Sequence, residues 1–406
     1  MTTLGSRRHW TGFAIGLVWF FFILWPLMGI KPGGLEFIPA LLVWVKIAAA
    51  ALFIFVLWLL RQQGALGFLE RPAARLGAAV SGAARVVPRA AWIAAVLAAS
   101  MTLPLFAERY ALDVAINVLV YVCLGLGLNV VVGMAGLLDL GYIAFYGVGA
   151  YTYALLSVHF GLSFWLCLPL AAGLAAVAGC IIGYPTLRMR GDYLAIVTLG
   201  FGEIVRIVLN NWMSLTNGPN GILGIKPPTL PWLQDGLWGV LELRALGGLY
   251  YVILGLAAFT VLAVYRLNHS RIGRAFEAVR EDETAAQLMG VNTFAIKLLA
   301  YAMGAVFGGL AGAFFAARMR FVSPESFTFM ESAMVLAMVV LGGMGSIPGV
   351  ILGALALIAL PEVFRGFELY RMLVFGGVMA VMMILKPRGL WPAKRVGQRS
   401  EERGHG

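Results

Sequence analysis

Apolar residues form long, nearly uninterrupted runs along this chain, and polar residues gather in the segments between them. A helix needs roughly 20 apolar residues to cross the hydrocarbon core of a bilayer. The first run follows Arg7 and Arg8, is too long for a signal peptide and is interpreted as a retained span. The runs predict spans near 11–30, 37–60, 90–107, 111–132, 137–158, 164–184, 193–210, 248–265 and 294–316.

The stretch 331–385 is harder to divide, because two of its three apolar runs are short. The runs lie near 331–343, 347–361 and 371–385. The sequence GGMGSIPG at 342–349 separates the first two, and its glycines and proline interrupt a helix. Either two short spans or one broken, re-entrant element fits this pattern. The predicted fold class is therefore an all-α polytopic membrane protein with ten to twelve transmembrane helices, broken ones included.

The composition supports a membrane location. The chain of 406 residues is 61% hydrophobic and only 12% charged, whereas soluble domains carry about 25% charged residues. The net charge of +11 lies in short clusters between apolar runs, which indicates membrane topology and not nucleic-acid binding. Three cysteines and four histidines show no metal-binding spacing, so neither a metal nor a cofactor is expected.

Lysines and arginines predict the orientation. If the N-terminus is cytoplasmic and twelve segments cross, the cytoplasmic side carries 19 of these residues and the other side eight. That bias satisfies the positive-inside rule and places both termini in the cytoplasm. The expected organisation is N-terminal spans with a basic loop over 1–89, a core over 90–392 containing a cytoplasmic loop at 266–292, and a tail over 393–406.

No catalytic motif is found in the sequence. None of the six lysines follows a glycine, so there is no G-x-x-x-x-G-K-S/T loop for ATP. A nucleophile elbow, an H-E-x-x-H helix and a dinucleotide fingerprint are also missing from the sequence. We therefore expect this chain to perform no enzymatic chemistry of its own.

The cytoplasmic segment RIGRAFEAVREDETAAQLMG, residues 271–290, carries the strongest local signal. Asp282 is placed to cap a short helix, Glu283 lies in its first turn, and Gly290 stands where a left-handed residue would end it. Ala285, Ala286 and Met289 would form a small apolar ridge. Such a helix suits docking to a partner protein, although a solvated connector that enforces topology remains an alternative.

Several motifs, in order along the chain, resemble a known family. Thr284, Ala285, Ala286 and Gly290 resemble the E-A-A-x-x-x-G signature of ABC importer permeases, with Thr284 in place of the usual glutamate. Longer matches resemble the branched-chain amino acid permeases of the LivM type, over roughly residues 110–392. They are GLGLNVVVG at 125–133, GDYLAIVTLGFGEIVR at 191–206, GPNG at 218–221, FVSPESFTF at 321–329 and GGMG at 342–345.

This resemblance implies a complex in the bacterial inner membrane. A second, related permease would complete the pathway, two cytoplasmic ATP-binding subunits would supply energy, and a periplasmic binding protein would deliver leucine, isoleucine or valine. The helix around 283–289 would transmit closure of the ATPases to the spans, as an alternating-access switch.

Charged and polar residues within the spans are the candidates for the translocation path. Glu203 and Arg206 share a helix face and Asn210 lies one turn further on. They could bind the carboxylate and ammonium of an amino acid, or form an internal ion pair or a contact to the partner permease. Asn129 and Asp139 lie near closely spaced glycines. Such glycines are typical both of close helix packing and of a broken helix at a binding site, and the sequence leaves both interpretations open.

A rival function follows from the same acidic residues. A secondary amino acid transporter acting alone would couple transport to protons or sodium ions. It would use Asp139 or Glu203 as the titrating site, and it would need no ATPase partner.

Overall fold

The computed structural model describes residues 30–31, 34–35, 100–187, 189, 191–234, 237–242, 245–363 and 389–392. The chain divides into two compact units, residues 1–95 with 372–387 and residues 96–371 with 388–406. Within the first unit, an antiparallel pair joins Ile30–Lys31 to Gly34–Leu35. The architecture below belongs to the second unit. The predicted spans at 11–30, 37–60 and 371–385 lie outside the described residues, apart from Ile30, and that at 90–107 is described from residue 100.

Helices dominate the second unit. After helical residues 100–106, the helices are α1 Arg109–Leu128, α2 Ile143–His159, α3 Phe164–Thr186, α4 Asp192–Asn211, α5 Met213–Thr216, α6 Leu246–Asn268, α7 Arg271–Glu281, α8 Glu283–Leu288, α9 Thr293–Met319, α10 Phe329–Gly342 and α11 Ile347–Val363. A π-helical segment, Asn129–Met134, continues α1, and one-turn 3-10 helices occupy Gly218–Asn220 and Pro324–Ser326.

Six of these helical segments are long and apolar enough to cross a membrane: Arg109–Met134, Phe164–Thr186, Tyr193–Asn211, Leu246–Asn268, Thr293–Met319 and Pro324–Gly342. They correspond to the runs predicted at 111–132, 164–184, 193–210, 248–265, 294–316 and 331–343. The run predicted at 137–158 forms α2, which begins later because residues 135–142 leave the helical path. The all-α polytopic fold is thus confirmed.

Helix α9 is the centre of the described unit and packs against α1, α2 and α3. The contact with α2 is close because glycines face it from both sides. A Cβ at Gly312 would lie 2.0 Å from the Tyr146 carbonyl oxygen, and a Cβ at Gly149 would lie 2.2 Å from that of Gly309. Small residues let membrane helices approach until their backbones touch, and van der Waals packing then stabilises the contact.

Helices α10 and α11 form an antiparallel hairpin against α1. A Cβ at Gly342 would meet the Gly349 carbonyl oxygen at 2.2 Å, and one at Gly353 would meet that of Met338 at the same distance. The turn of the hairpin lies beside Asn129, while Glu362 near its end contacts Tyr110 at the start of α1. The pair therefore follows α1 over most of its length, which favours two crossings over a re-entrant element.

Short strands lie in the connections at the end of the helices away from α7 and α8. Ile222–Leu223 pairs with Phe321–Val322, and Thr229–Gln234 pairs with Leu237–Glu242, both antiparallel. At the opposite end, Leu390 and Trp391 donate backbone hydrogen bonds to the carbonyls of Leu341 and Gly342.

Candidate functional site

The segment between α6 and α9 folds into two short helices with well-defined ends. Ser270 caps α7 by accepting from the Gly273 amide at 3.1 Å. Asp282 caps α8 by accepting from the amides of Thr284 and Ala285 at 2.8 and 3.0 Å, as its sequence position predicts. Gly290 follows α8 with φ +85°, the left-handed conformation expected there.

The exposed face of α8 differs from the predicted ridge. Ala286 is buried, so the expectation that it forms an apolar docking ridge with Ala285 and Met289 is wrong. Leu288 and Met289 are each 84% exposed, and Ala285 is exposed beside them. Residues 285, 288 and 289 lie on one side of a helical turn. They present an apolar surface on a segment that the sequence otherwise marks as polar.

Two charged side chains tie these short helices to the transmembrane helices. Lys297 of α9, whose side chain is only 10% exposed, forms a 2.6 Å ion pair with Glu283 of α8. Arg280 of α7 donates to the backbone carbonyl of Gly133, in the π-helical segment. The stem of Arg280 also packs on Gly136, where a Cβ would lie 2.7 Å from its Cγ and where φ is +73°.

A cavity of about 360 Å³ lies beside these two contacts. Its lining includes the start of the non-helical segment and the three charged residues of the contacts: Ala135, Gly136, Leu138, Arg280, Glu283 and Lys297. Arg280 of α7 thus contacts the segment in which α1 loses its regular helix, whereas Glu283 of α8 contacts α9 through Lys297.

The broken end of α1 is fixed by Asn129. Its Oδ1 accepts from the Gly345 amide at 2.8 Å and so joins the π-helical segment to the turn of the α10–α11 hairpin. Gly133 leaves room for this side chain, since a Cβ there would lie 2.0 Å from Asn129 Oδ1. Asn129 Nδ2 is buried without a partner among the described residues.

Asp139 lies in the non-helical stretch between the π-helical segment and α2. Its carboxylate is buried and accepts from the Gly141 amide at 2.8 Å, while Oδ2 has no hydrogen-bond partner among the described residues. The stretch is held against α4 by the Leu140 amide, which donates to the Thr198 hydroxyl at 3.1 Å. Asn129 and Asp139 thus both belong to the broken region between α1 and α2.

Glu203 and Arg206 lie elsewhere, on a partly exposed face of α4. Arg206 Nε donates to Glu203 Oε2 at 2.8 Å, and each side chain is 32% exposed. Asn210 is partly exposed on the same helix. Among the described residues, no hydrogen bond joins these three to Asn129 or Asp139. The path candidates therefore form two separate groups.

A polar cluster along α1 was not predicted from the sequence. Arg318 of α9 donates to Asp113 Oδ1 at 2.7 Å and to Asn117 Oδ1 at 2.6 Å. One turn further on, the Tyr121 hydroxyl donates to Glu331 of α10 at 2.6 Å. The signal that could have found this cluster is a polar residue at every fourth position of an otherwise apolar span, at 113, 117 and 121.

The described unit has membrane-crossing helices, a broken central segment and capped helices bonded to it. These features are those of a polytopic membrane permease. Comparison with family models gives a match to the permease component of branched-chain amino acid transport systems over residues 110–385. The chain belongs to this family.

Individual relatives agree with the family match. The chain is 47% identical over 368 residues to the LivM permease protein of the high-affinity branched-chain amino acid transport system of Escherichia coli K12, covering 87% of this chain and 86% of that protein. It is 26% identical to the probable LivM protein of Methanocaldococcus jannaschii, over 67% and 86% of the two chains. The LivH permease of Salmonella typhimurium is also 26% identical, over 66% and 90%. No solved structure gives a significant match.

Proposed function

We propose that this chain is one membrane-spanning subunit of an ATP-driven importer of leucine, isoleucine and valine in a bacterial inner membrane. The observation that carries the proposal is the apolar face of α8. Glu283 of α8 pairs with Lys297 of α9, and Arg280 of the preceding helix α7 donates to Gly133 in the π-helical segment. A separate ATPase that binds Leu288 and Met289 could move α7 and α8 together. The Arg280–Gly133 hydrogen bond and the Glu283–Lys297 ion pair would transmit that motion to α1 and α9. The pathway would then open alternately to the two sides of the membrane.

The partners follow from the same comparison and from the surface of α4. LivM and LivH proteins are both described as permeases of one kind of transport system, and both are similar to this chain. A partly exposed Glu203–Arg206 pair on a membrane-spanning helix would be costly against lipid. A second permease covering α4 would remove that cost. Two cytoplasmic ATP-binding subunits and a periplasmic amino-acid-binding protein complete the proposed assembly.

Gly290→Val is expected to uncouple ATP hydrolysis from uptake. No atom lies within 4 Å of a Cβ at this position, so the effect is conformational: valine at φ +85° is strained by about 1–3 kcal/mol. Relief of that strain would unwind the end of α8 and displace Met289. Uptake should fall by roughly tenfold, which corresponds to about 1.4 kcal/mol, while membrane insertion and hydrolysis persist.

Gly290→Asn is the matched control, because asparagine tolerates the left-handed conformation. Uptake and hydrolysis are measured in parallel on vesicles that contain equal amounts of each complex. Near-normal uptake with valine at position 290 would remove the docking role assigned to α8.

A further inference from the structure

A second cavity, of about 370 Å³, lies at the other end of the described unit. It is bounded by the first turn of α6 and the last turn of α9, whose opposite ends are joined by α7 and α8. The cavity therefore opens on the membrane face away from those short helices. It is lined by Asp113, Pro227, Leu246, Leu249, Ala317, Arg318, Met319 and Arg320.

We propose that this cavity binds the amino acid itself, as a zwitterion with an aliphatic side chain. The site would receive substrate on the outer face before it enters the pathway. This inference rests on the proposed import function, because it assigns a place to the same substrate.

The charges in the cavity are divided in a way that suits a zwitterion. Arg318, with a side chain only 7% exposed, is engaged by Asp113 and Asn117 and holds the Asp113 carboxylate in place. Asp113 itself is 46% exposed, so one side of its carboxylate is open to an ammonium group. Arg320 lines the same cavity, and its guanidinium forms no hydrogen bond or ion pair with any described residue. It is therefore placed to bind a carboxylate, for which its planar fork is well suited.

The remaining walls are apolar. Leu246 and Leu249 of α6 face Met319 and Ala317 of α9, with Pro227 beside them. Small-molecule sites have such mostly apolar walls with few charged groups and volumes of roughly 300–1,000 Å³. An ion pair that only stabilised packing would account for Arg318 and Asp113, but not for an open aliphatic cavity with a further arginine.

The position of the cavity connects it to the membrane interior. Asp113 begins the polar series on α1 that continues through Asn117 to Tyr121, which is hydrogen-bonded to Glu331. Asn129, at the broken end of α1, lies about two turns beyond Tyr121 along the helix axis. A substrate leaving the cavity would thus find polar groups along the helix that ends at the tied segment.

The test is equilibrium binding of radiolabelled leucine to the purified complex in detergent, without the binding protein. Unlabelled leucine should compete, whereas leucinamide, which lacks the carboxylate, and 4-methylpentanoate, which lacks the ammonium, should compete at least roughly tenfold more weakly. Arg320→Gln and Asp113→Asn should each weaken leucine binding by a similar factor. Lys226→Gln is the control, since Lys226 is exposed at the same end but does not line the cavity. Its affinity should remain within about twofold of the wild type.

Absence of leucine binding to the wild type, equal competition by leucinamide, or unchanged affinity in both folded variants would each overturn the proposal. The competition series uses the wild type alone, so it decides the question even if a variant fails to fold. ATP-dependent uptake with the binding protein is measured on the same preparation. Uptake without cavity binding refutes the site alone, and cavity binding without ATP-dependent uptake refutes the importer alone.

Discussion

Gly312→Val is expected to remove most of the correctly folded permease from the membrane. The added Cβ would lie 2.0 Å from the Tyr146 carbonyl oxygen and 2.8 Å from the Ala150 amide nitrogen, both of them backbone atoms of α2. Backbone cannot rotate away as a flexible side chain could, so α2 and α9 would have to separate. Overpacking of this kind costs about 1–3 kcal/mol or more, and here it would break the central helix contact of the described unit.

The measurement is the amount of monodisperse protein extracted from membranes, together with its thermal midpoint in detergent. Gly255→Val is the matched control, because Gly255 lies in α6 and a Cβ added there would have nothing within 4 Å. Equal yield and an equal midpoint for the two variants would show that α2 and α9 do not pack through Gly312.

Arg280→Gln is expected to abolish most uptake while leaving ATP hydrolysis largely intact. The substitution removes the charged donor to the Gly133 carbonyl and the stem that packs on Gly136. A buried acceptor left without its charged partner costs about 1–3 kcal/mol. The π-helical segment would then no longer follow α7, so uptake should fall by roughly tenfold or more.

Two further variants sharpen this result. Arg280→Lys keeps the charge but loses the fixed geometry of the guanidinium, and should restore part of the uptake. Arg274→Gln removes a charge from an exposed position of the same helix and should change neither activity. The ratio of leucine imported to ATP hydrolysed, measured in proteoliposomes, separates loss of coupling from loss of protein. An unchanged ratio in Arg280→Gln would show that α7 does not act through Gly133.

Local features of this fold could be predicted from sequence because they depend on neighbouring residues. The spans follow from runs of apolar residues, which a helix in lipid must have. The N-cap at Asp282 and the helix end at Gly290 each depend on residues within one helical turn. The Glu203–Arg206 ion pair depends on a spacing of three residues. In each case the interacting atoms are within a few positions of one another.

Long-range pairings could not be predicted in the same way. The contacts of Arg318 with Asp113 and Asn117 join residues about 200 positions apart. The pattern of α8 alone gives the wrong face for Ala286, because the orientation of that helix is set by packing and by the Glu283–Lys297 pair. The turn at 342–349 leaves two topologies open in the sequence, and contacts of the hairpin with both ends of α1 favour two crossings.

The most direct test of ATP-coupled import is reconstitution into liposomes with and without nucleotide-hydrolysing partners. The complex of this chain with a second permease and two ATPase subunits, supplied with a leucine-loaded binding protein, should accumulate leucine only when ATP is enclosed with the ATPases. Vanadate should stop that uptake, and a proton or sodium gradient should not replace ATP. Accumulation of leucine by this chain alone, driven by an ion gradient, would instead establish a secondary transporter and contradict the role of α8 as a docking helix.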